Sequence, residues 1–137
     1  MEMEISFPSN KRVDAHWKGF TIKTDQSEKN GGDGSAPAPF DLFLSSIGTC
    51  AGIYVLEFCK ERDISIENAN LILSIERNPE TKMIGNIRID VNLPADFPKK
   101  YISAVKRAAD LCAVKKHILN PPEFDIRINM GGKKEME

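Results

Sequence analysis

The sequence predicts an α+β protein, because strand-like and helix-like patterns occupy separate parts of the chain. Apolar residues alternate with polar ones over 20–24 and 71–75, which is typical of half-buried strands. A long apolar stretch over 40–62 and a segment with three-and-four apolar spacing over 99–119 indicate two helices. Strands and helices grouped in this way are typical of an α+β domain.

Size and charge limit the functions open to the chain. Its 137 residues fit a single domain, 1–137, with a core that needs neither disulfides nor metal. With 19 basic and 20 acidic residues the formal charge is −1, so we expect no nucleic-acid partner. No apolar run approaches the roughly 20 residues of a membrane span, and the N-terminus lacks a signal-peptide pattern. We therefore expect a cytoplasmic protein without a membrane partner.

The first third of the chain predicts short strands followed by a loop. Strand-like pieces lie around Ile5 and Phe7 and over 13–17 and 20–24, with Gly19 at a hairpin turn. Residues 25–38 are rich in Gly, Ser, Asp and Asn and predict a loop that is either functional or mobile.

The apolar stretch after this loop predicts a buried helix. Pro39 suits the first turn, and few polar residues interrupt the segment before Glu57. Gly48 and Gly52 each cost roughly 1 kcal/mol relative to Ala, so we expect a kink or a restart near Thr49. A helix this apolar favours a second copy of the chain as its cover, although the domain's own hairpin could also cover it.

The second half predicts a hairpin, a helix and a strand. Strands over 64–76 and 83–93 are joined by a turn at 78–81, and the helix over 99–119 ends at Asn-Pro-Pro. Apolar residues then alternate through an expected closing strand at Phe124, Ile126 and Ile128.

Two of the three cysteines are candidate reactive residues. If the first helix restarts near Thr49, Cys50 falls in a first turn, where free N–H groups favour a thiolate. On one unbroken helix Cys50 is instead a packed core residue, and the sequence supports both interpretations equally. Cys59 lies nine residues further on, about 180° around the helix, so we expect it to pack.

Cys112 lies near the end of the second predicted helix, followed by Lys115, Lys116 and His117. These cations suit a helix C-terminus whether or not the protein is an enzyme. The two histidines, His16 and His117, have no metal-ligand spacing with the cysteines, so we expect neither a metal nor another cofactor.

Two blocks of the sequence resemble the OsmC/Ohr family. Residues 36–50, APAPFDLFLSSIGTC, are similar to its first signature, a Pro-acidic-apolar helix start followed by small residues and a cysteine. Residues 108–116, AADLCAVKK, are similar to its second cysteine motif. A hairpin lies between the two motifs in the family, and one is predicted between them in this sequence. The resemblance covers nearly the whole chain.

The resemblance implies an OsmC-like fold, with sheets of both subunits wrapped around central helices in an intertwined homodimer and with sites at the interface. It also implies peroxide chemistry, in which Cys50 attacks the peroxide and Cys112 then forms a disulfide with it.

Four positions bear on whether the residue roles of the family apply to this chain. Where the peroxidase branches of the family carry a Glu that pairs with an activating Arg, this chain has Phe40. Asp41 is adjacent, and a kink at Gly48 would be needed to bring it to Cys50. Arg12 is the one arginine in the N-terminal strands, where the family Arg is expected. Ala113 stands where Pro is common in the family.

Three functions compete on these residues. The first is a thiol-dependent hydroperoxide reductase that uses Cys50 and Cys112, with Arg12 as the nearby cation. The second is a dimer that binds a small apolar ligand at its interface while the cysteines only pack. The third is a structural or partner-binding dimer, for which the chain shows no peptide groove or tail. Cysteines at both family positions favour the first, with an organic hydroperoxide as substrate and an unidentified thiol as reductant.

Overall fold

The structure, a computed structural model, describes residues 1–134 and begins with a three-stranded antiparallel sheet. Its strands are β1 (Glu4–Ser6), β2 (Val13–Trp17) and β3 (Phe20–Thr24), in the order β1-β2-β3. A two-residue turn joins β2 to β3, and both of its residues have positive φ, 50° at Lys18 and 83° at Gly19. Such a turn matches the twist of the paired strands, so the predicted hairpin at Gly19 is confirmed.

The loop over 25–38 is ordered around one buried carboxylate. The Asp25 side chain is fully buried, and it accepts hydrogen bonds from the backbone N–H of Gln26 and from both the N–H and the hydroxyl of Ser35. Gly32 packs so closely here that a Cβ at its position would lie 2.0 Å from the carbonyl oxygen of Gln26. The loop is therefore held in one conformation by its own polar groups.

Helix α1 runs without interruption over Pro39–Glu61, 23 residues. Pro39 occupies its first turn, and the Asp41 carboxylate accepts a hydrogen bond from the Ala38 N–H at 3.1 Å, which satisfies one of the free donors at this end.

The expected kink or restart near Thr49 is wrong. The Thr49 hydroxyl donates to the Ser45 carbonyl at 2.9 Å, and the Ser46 hydroxyl donates to the Phe43 carbonyl at 2.6 Å. Hydroxyls bonded back to the preceding turn do not act as N-caps, so nothing starts a new helix at this point. Gly48 faces a neighbouring strand, where a Cβ would make an ordinary van der Waals contact with Leu73 at 3.6 Å.

A long hairpin packs against α1. Its strands β4 (Asn70–Arg77) and β5 (Ile84–Asn92) are antiparallel, with Leu71 opposite Val91 and Leu73 opposite Ile89. The hairpin was predicted from the alternation, although β4 begins at Asn70 rather than near Ile64. The more buried face of both strands is the apolar one, which fixes the register.

The second predicted helix is divided in two. After a short 3-10 turn at Lys99–Tyr101, α2 spans Ile102–Asp110 and α3 spans Ala113–Leu119. The break occurs because Cys112 leaves the helical conformation, with φ −47° and ψ 122°, and its sulfur accepts a hydrogen bond from the Lys115 N–H at 3.4 Å. Cys112 is thus the N-cap of α3, a position that the apolar spacing could not reveal.

The core lies between α1, α2 and the segment after β5. Val55, Cys59, Phe97 and Val105 are its buried members, so the expected packing role of Cys59 is confirmed. By length and composition alone α1 could also cross a membrane. Ile47, Ala51, Val55 and Cys59 along one side of it are buried within the domain, so this side of α1 is a core face.

The expected closing strand does not form within this chain. Residues 121–128 have no regular secondary structure, and only β6 (Asn129–Met130) and β7 (Lys133–Lys134) pair, as a small hairpin. Phe124 and Ile126 are 85% and 87% exposed. Alternation produces a strand only where a sheet edge is available for pairing, and the described part of the chain offers this segment none. The mixed α+β architecture itself is as predicted.

Candidate thiol site

Cys50 and Cys112 lie close enough for each side chain to shift the pKa of the other, although 62 positions separate them in the sequence. Cys50 comes from the middle of α1, and Cys112 comes from the break between α2 and α3. Cys112 is almost completely buried, at 2% exposed, whereas Cys50 is partly accessible to solvent. Both are free thiols, so the pair can exchange a proton or form a bond between its two sulfurs.

Backbone N–H groups lower the pKa of the Cys50 thiol. The N–H of Val114 has the largest effect, and burial opposes it, while the Cys112 side chain and the N–H of Ala113 lower the pKa further. A donor that points at sulfur favours the charged thiolate over the neutral thiol. The free N–H groups expected near Cys50 are therefore present, but they belong to the start of α3 and not to a restart of α1.

The second thiol of the pair is shifted in the opposite direction. Burial has the largest effect and raises the pKa of Cys112. The Lys115 N–H opposes it, and the neighbouring Cys50 raises the pKa further. Because the two shifts oppose each other, Cys50 loses its proton first and Cys112 keeps its own. Such an asymmetric pair provides a nucleophile beside a protonated thiol.

The third cysteine is not part of this site. Cys59 is fully buried in the core, and burial raises the pKa of its thiol against a smaller effect of the Arg62 charge. A buried neutral thiol in apolar surroundings is unreactive.

Arg12 is held by a carboxylate that the sequence analysis did not single out. Its guanidinium donates to both carboxylate oxygens of Asp14, at 2.8 and 2.9 Å, and Asp14 is itself buried. The Arg12 Nε is buried and has no hydrogen-bond partner among residues 1–134. Arg12 is not among the groups that shift the pKa of Cys50 within this chain. The Arg-x-Asp spacing was the available signal, since residues two apart face the same side of a strand.

Asp41 and Phe40 make contacts of their own at the start of α1. The Asp41 carboxylate serves the start of α1 through Ala38, so the structure gives it a capping role. The Phe40 ring lies 5.4 Å from the ring of Phe43 and 6.0 Å from the guanidinium of Arg77. The structure thus brings together Cys50 and Cys112 and leaves Arg12 and Asp41 in other contacts.

An apolar cavity of about 610 Å³ lies beside the pair, between α1, β5 and the two C-terminal helices. Ile47 links the two features, because its side chain lines the cavity and its carbonyl oxygen lies 3.9 Å from the Cys112 sulfur. The other lining residues are mostly aliphatic, with four charged side chains among them: Ile87, Ile89, Asp90, Val91, Leu93, Ile102, Val105, Lys106, Ala109, Asp110, Lys115 and Ile118. No group of three or more His, Cys, Asp or Glu that could hold a metal ion occurs in the described part of the chain.

One protein-family model matches most of the chain. The family described as OsmC-like protein matches residues 32–127, a range that contains both members of the thiol pair and excludes the N-terminal sheet. No curated protein sequence matches the chain significantly.

Several solved structures resemble the fold. A putative osmotic stress induced and detoxification response protein from Psychrobacter arcticus is 19% identical, with a TM-score of 0.69 and coverage of 83% of this chain and 85% of that one. An organic hydroperoxide resistance protein OsmC from Legionella pneumophila is 17% identical, with a TM-score of 0.52 and coverage of 85% and 87%. A putative organic hydroperoxide resistance protein from Vibrio cholerae, with captopril bound in one of its active sites, is 15% identical, with a TM-score of 0.52 and coverage of 98% and 94%. At these identities the likeness shows a shared fold.

Proposed function

The chain belongs to the OsmC-like protein family, and from that premise we propose that it reduces organic hydroperoxides with the Cys50–Cys112 thiol pair. The observation that carries this proposal is the contact between two thiols whose pKa values are shifted in opposite directions. A structural role does not require such a pair, whereas a thiol peroxidase needs a thiolate beside a second thiol.

In the first step the Cys50 thiolate attacks an oxygen of the hydroperoxide. The O–O bond breaks, its electron pair goes to the leaving oxygen, and that oxygen takes up a proton and departs as an alcohol. Cys50 becomes a sulfenic acid. The N–H groups of Val114 and Ala113 support this step, because they lower the pKa of Cys50 and so favour its thiolate.

In the second step the Cys112 sulfur attacks the sulfur of the sulfenic acid. A disulfide forms, and the hydroxyl leaves as water with the proton from Cys112. An external thiol reductant, whose identity is open, then supplies two electrons and returns both cysteines to the reduced form. We place the protein in the cytoplasm, where thiols of this kind are kept reduced.

If two copies of the chain form a homodimer, Arg12 is the candidate cation that would stabilise the Cys50 thiolate. Its buried Nε is a donor without an acceptor among residues 1–134, and the Asp14 carboxylate fixes its guanidinium in one orientation. Brought to the thiol pair by the N-terminal sheet of a second copy, this positive charge would favour the thiolate. Asp41 has no part in the proposed chemistry, because its carboxylate is occupied at the start of α1.

The exposed apolar surface supports an intertwined homodimer of 137-residue domains. Cys50 lies on a face of α1 that also carries Phe43 and Ile53, both more than a third exposed. Phe124 and Ile126 are exposed to solvent, and among residues 1–134 no sheet pairs with this segment. A second copy would cover both surfaces and enclose the thiol pair.

Peroxide consumption by cysteine variants tests the proposed activity. The reduced protein should consume one equivalent of cumene hydroperoxide, and Cys50→Ser should abolish that consumption. Cys59→Ser is the matched control, because it removes a thiol from the same helix without touching the site, and it should keep the full rate. If Cys50→Ser consumed the hydroperoxide as fast as the unaltered protein, the proposed function would be wrong.

The cavity favours a second candidate function, the binding of a small apolar ligand without chemistry. Its volume of about 610 Å³ is typical of ligand pockets, and neither cysteine is among its lining residues. A fluorescent apolar probe should bind this cavity with the same affinity in Cys50→Ser and in the unaltered protein. Binding without any peroxide consumption would favour this second function.

A further inference from the structure

We propose that the first turn of α3 is a redox-controlled cover over Cys112, closed while both cysteines are reduced and loosened when they form a disulfide. The loosened turn lets an external thiol reach the Cys112 sulfur. This inference rests on the proposed function, which supplies the disulfide and its need for a reductant.

The start of α3 is held by the two sulfurs of the thiol pair. The Lys115 N–H donates to the Cys112 sulfur at 3.4 Å. The two preceding N–H groups, those of Ala113 and Val114, face the Cys50 sulfur. The first N–H groups of any helix lack partners within it, and here one of them is bonded to the Cys112 sulfur while the two before it lie near enough to Cys50 to lower the pKa of its thiol.

Burial of side chains contributes little to holding α3 in place. It has seven residues, Ala113–Leu119, and none of them is buried. A helix this short is not stable in isolation, so its contacts at both ends decide whether it persists. The interactions of its first turn with sulfur therefore count for much of its stability.

Oxidation weakens these interactions. In the reduced state Cys50 is the thiol that ionises first, and hydrogen bonds to a charged acceptor are roughly twice as strong as those between neutral groups. Forming the disulfide removes this charge and draws both sulfurs into one covalent bond. The N–H groups of Ala113 and Val114 then lose a charged acceptor, the Cys112 sulfur that accepts from Lys115 is drawn towards Cys50, and the first turn of α3 can fray.

The chemistry of reduction explains why the cover matters. The incoming thiolate attacks Cys112, the S–S bond breaks, and Cys50 departs as a thiolate, because the sulfur with the lower pKa is the better leaving group. A second thiol of the reductant then attacks the mixed disulfide, so the reductant is oxidised and Cys112 regains its proton. Yet Cys112 is only 2% exposed in the reduced fold, so attack on its sulfur requires the cover to move.

Hydrogen exchange on the full-length protein tests the cover directly. The disulfide form is prepared with diamide, so that no peroxidase activity is needed, and its amide exchange is compared with that of the reduced form by mass spectrometry. We expect the amides of α3 to exchange at least about 10-fold faster in the disulfide form, with α2 unchanged as the internal control. Equal exchange of α3 in the two forms would overturn the proposal.

A pair of glycine variants tests whether α3 covers Cys112 in the reduced state. Lys116→Gly replaces an exposed residue of α3 and should raise the alkylation rate of Cys112 about five-fold, because glycine weakens a helix by about 1 kcal/mol. Arg107→Gly makes the same change at an exposed position of α2 and should leave that rate unchanged. Equal rates in both variants and the unaltered protein would contradict the cover.

The outcomes separate this inference from the proposed function. Faster exchange of α3 after diamide treatment, without any peroxide consumption, would support the cover and reject the peroxidase. Peroxide consumption with unchanged exchange would do the reverse. Failure of diamide to join Cys50 to Cys112 would contradict both.

Discussion

The Cys112 sulfur lies 3.9 Å from the carbonyl oxygen of Ile47, one helical turn before Cys50 on α1. Ile47 also lines the apolar cavity, so this contact joins the thiol pair to the cavity through one residue of α1. A hydroperoxide with an apolar tail can therefore occupy the cavity while its reactive end approaches the thiol pair.

This arrangement predicts a preference for bulky hydroperoxides. Cumene hydroperoxide should be consumed faster than hydrogen peroxide, because only the former has an apolar body that gains from leaving water. Initial rates measured at equal concentrations of the two oxidants check this. An equal or inverted preference would mean that the cavity does not serve substrate binding.

Thiol reactivity should separate Cys50 from Cys59. Alkylation of Cys50 by iodoacetamide should titrate at a pH below the usual thiol value of about 8.5, because backbone N–H groups lower its pKa. Cys59, whose pKa is raised by burial, should remain unmodified in the folded protein. Peptide mapping of the alkylated protein over a range of pH reads both rates, and similar profiles for the two cysteines would contradict the assigned environment of Cys50.

Asp25 should make the protein sensitive to acid. Hydrogen bonds from the Ser35 side chain and backbone lower the pKa of Asp25 from 3.8 to about 2. Burial opposes this shift, and the N–H groups of Gln26 and Asp33 add to it. A carboxyl group whose pKa is lower in the folded state contributes stability above pH 3.8, and this contribution is lost as the pH falls towards 2. Urea denaturation at several pH values should therefore show a steeper loss of stability below pH 4 than in Asp25→Asn. Asp125→Asn changes an exposed carboxylate and should keep the slope of the unaltered protein.

The same loop gives a test that is independent of charge. Gly32→Ala should lower the free energy of unfolding by about 2 kcal/mol or more, because its Cβ would lie 2.0 Å from the Gln26 carbonyl oxygen and force the loop to shift. Gly85→Ala is the control, since a Cβ at that strand position meets nothing within 4 Å, and it should be neutral or slightly stabilising. Chemical denaturation of both variants measures the difference. Equal stabilities would mean that the loop packs more loosely around Gly32.

The proposed dimer depends on the exposed face of α1. Ile53→Asp should produce a monomer at micromolar concentration in light scattering, because the interface would have to bury an unpaired charge. Met83→Asp alters an equally apolar but exposed residue at the turn of the hairpin and should leave the mass unchanged. A monomeric unaltered protein, or a dimeric Ile53→Asp, would count against this interface.

Local patterns were sufficient to predict most of the elements. The hairpin turn at Gly19, the start of α1 at Pro39 and the pairing of β4 with β5 each follow from a few neighbouring residues. The break at Cys112 did not follow, because apolar spacing continues through it, and a cysteine sulfur is an uncommon N-cap. The prediction of a closing strand was wrong for a different reason. The alternation at Phe124 and Ile126 shows that the segment can form a strand, but it does not show which strand would pair with it.

The candidate cysteines could be named from the sequence, but the groups that shift their pKa values could not. The similarity of the two motifs indicated Cys50 and Cys112, and the fold brings them into contact. The N–H groups facing Cys50 come from Ala113 and Val114, more than sixty positions away, and no local pattern around Cys50 reveals them. The buried ion pair of Arg12 with Asp14 likewise depends on burial, which the spacing alone does not give.

Disulfide mapping after oxidation tests the central claim most directly. The fully reduced protein is treated with one equivalent of cumene hydroperoxide, digested without reductant and analysed by mass spectrometry. The thiol pair predicts a single main disulfide between Cys50 and Cys112, and Cys112→Ser should instead retain a sulfenic acid on Cys50. A main disulfide that contains Cys59, or three thiols that remain reduced while the hydroperoxide persists, would contradict it.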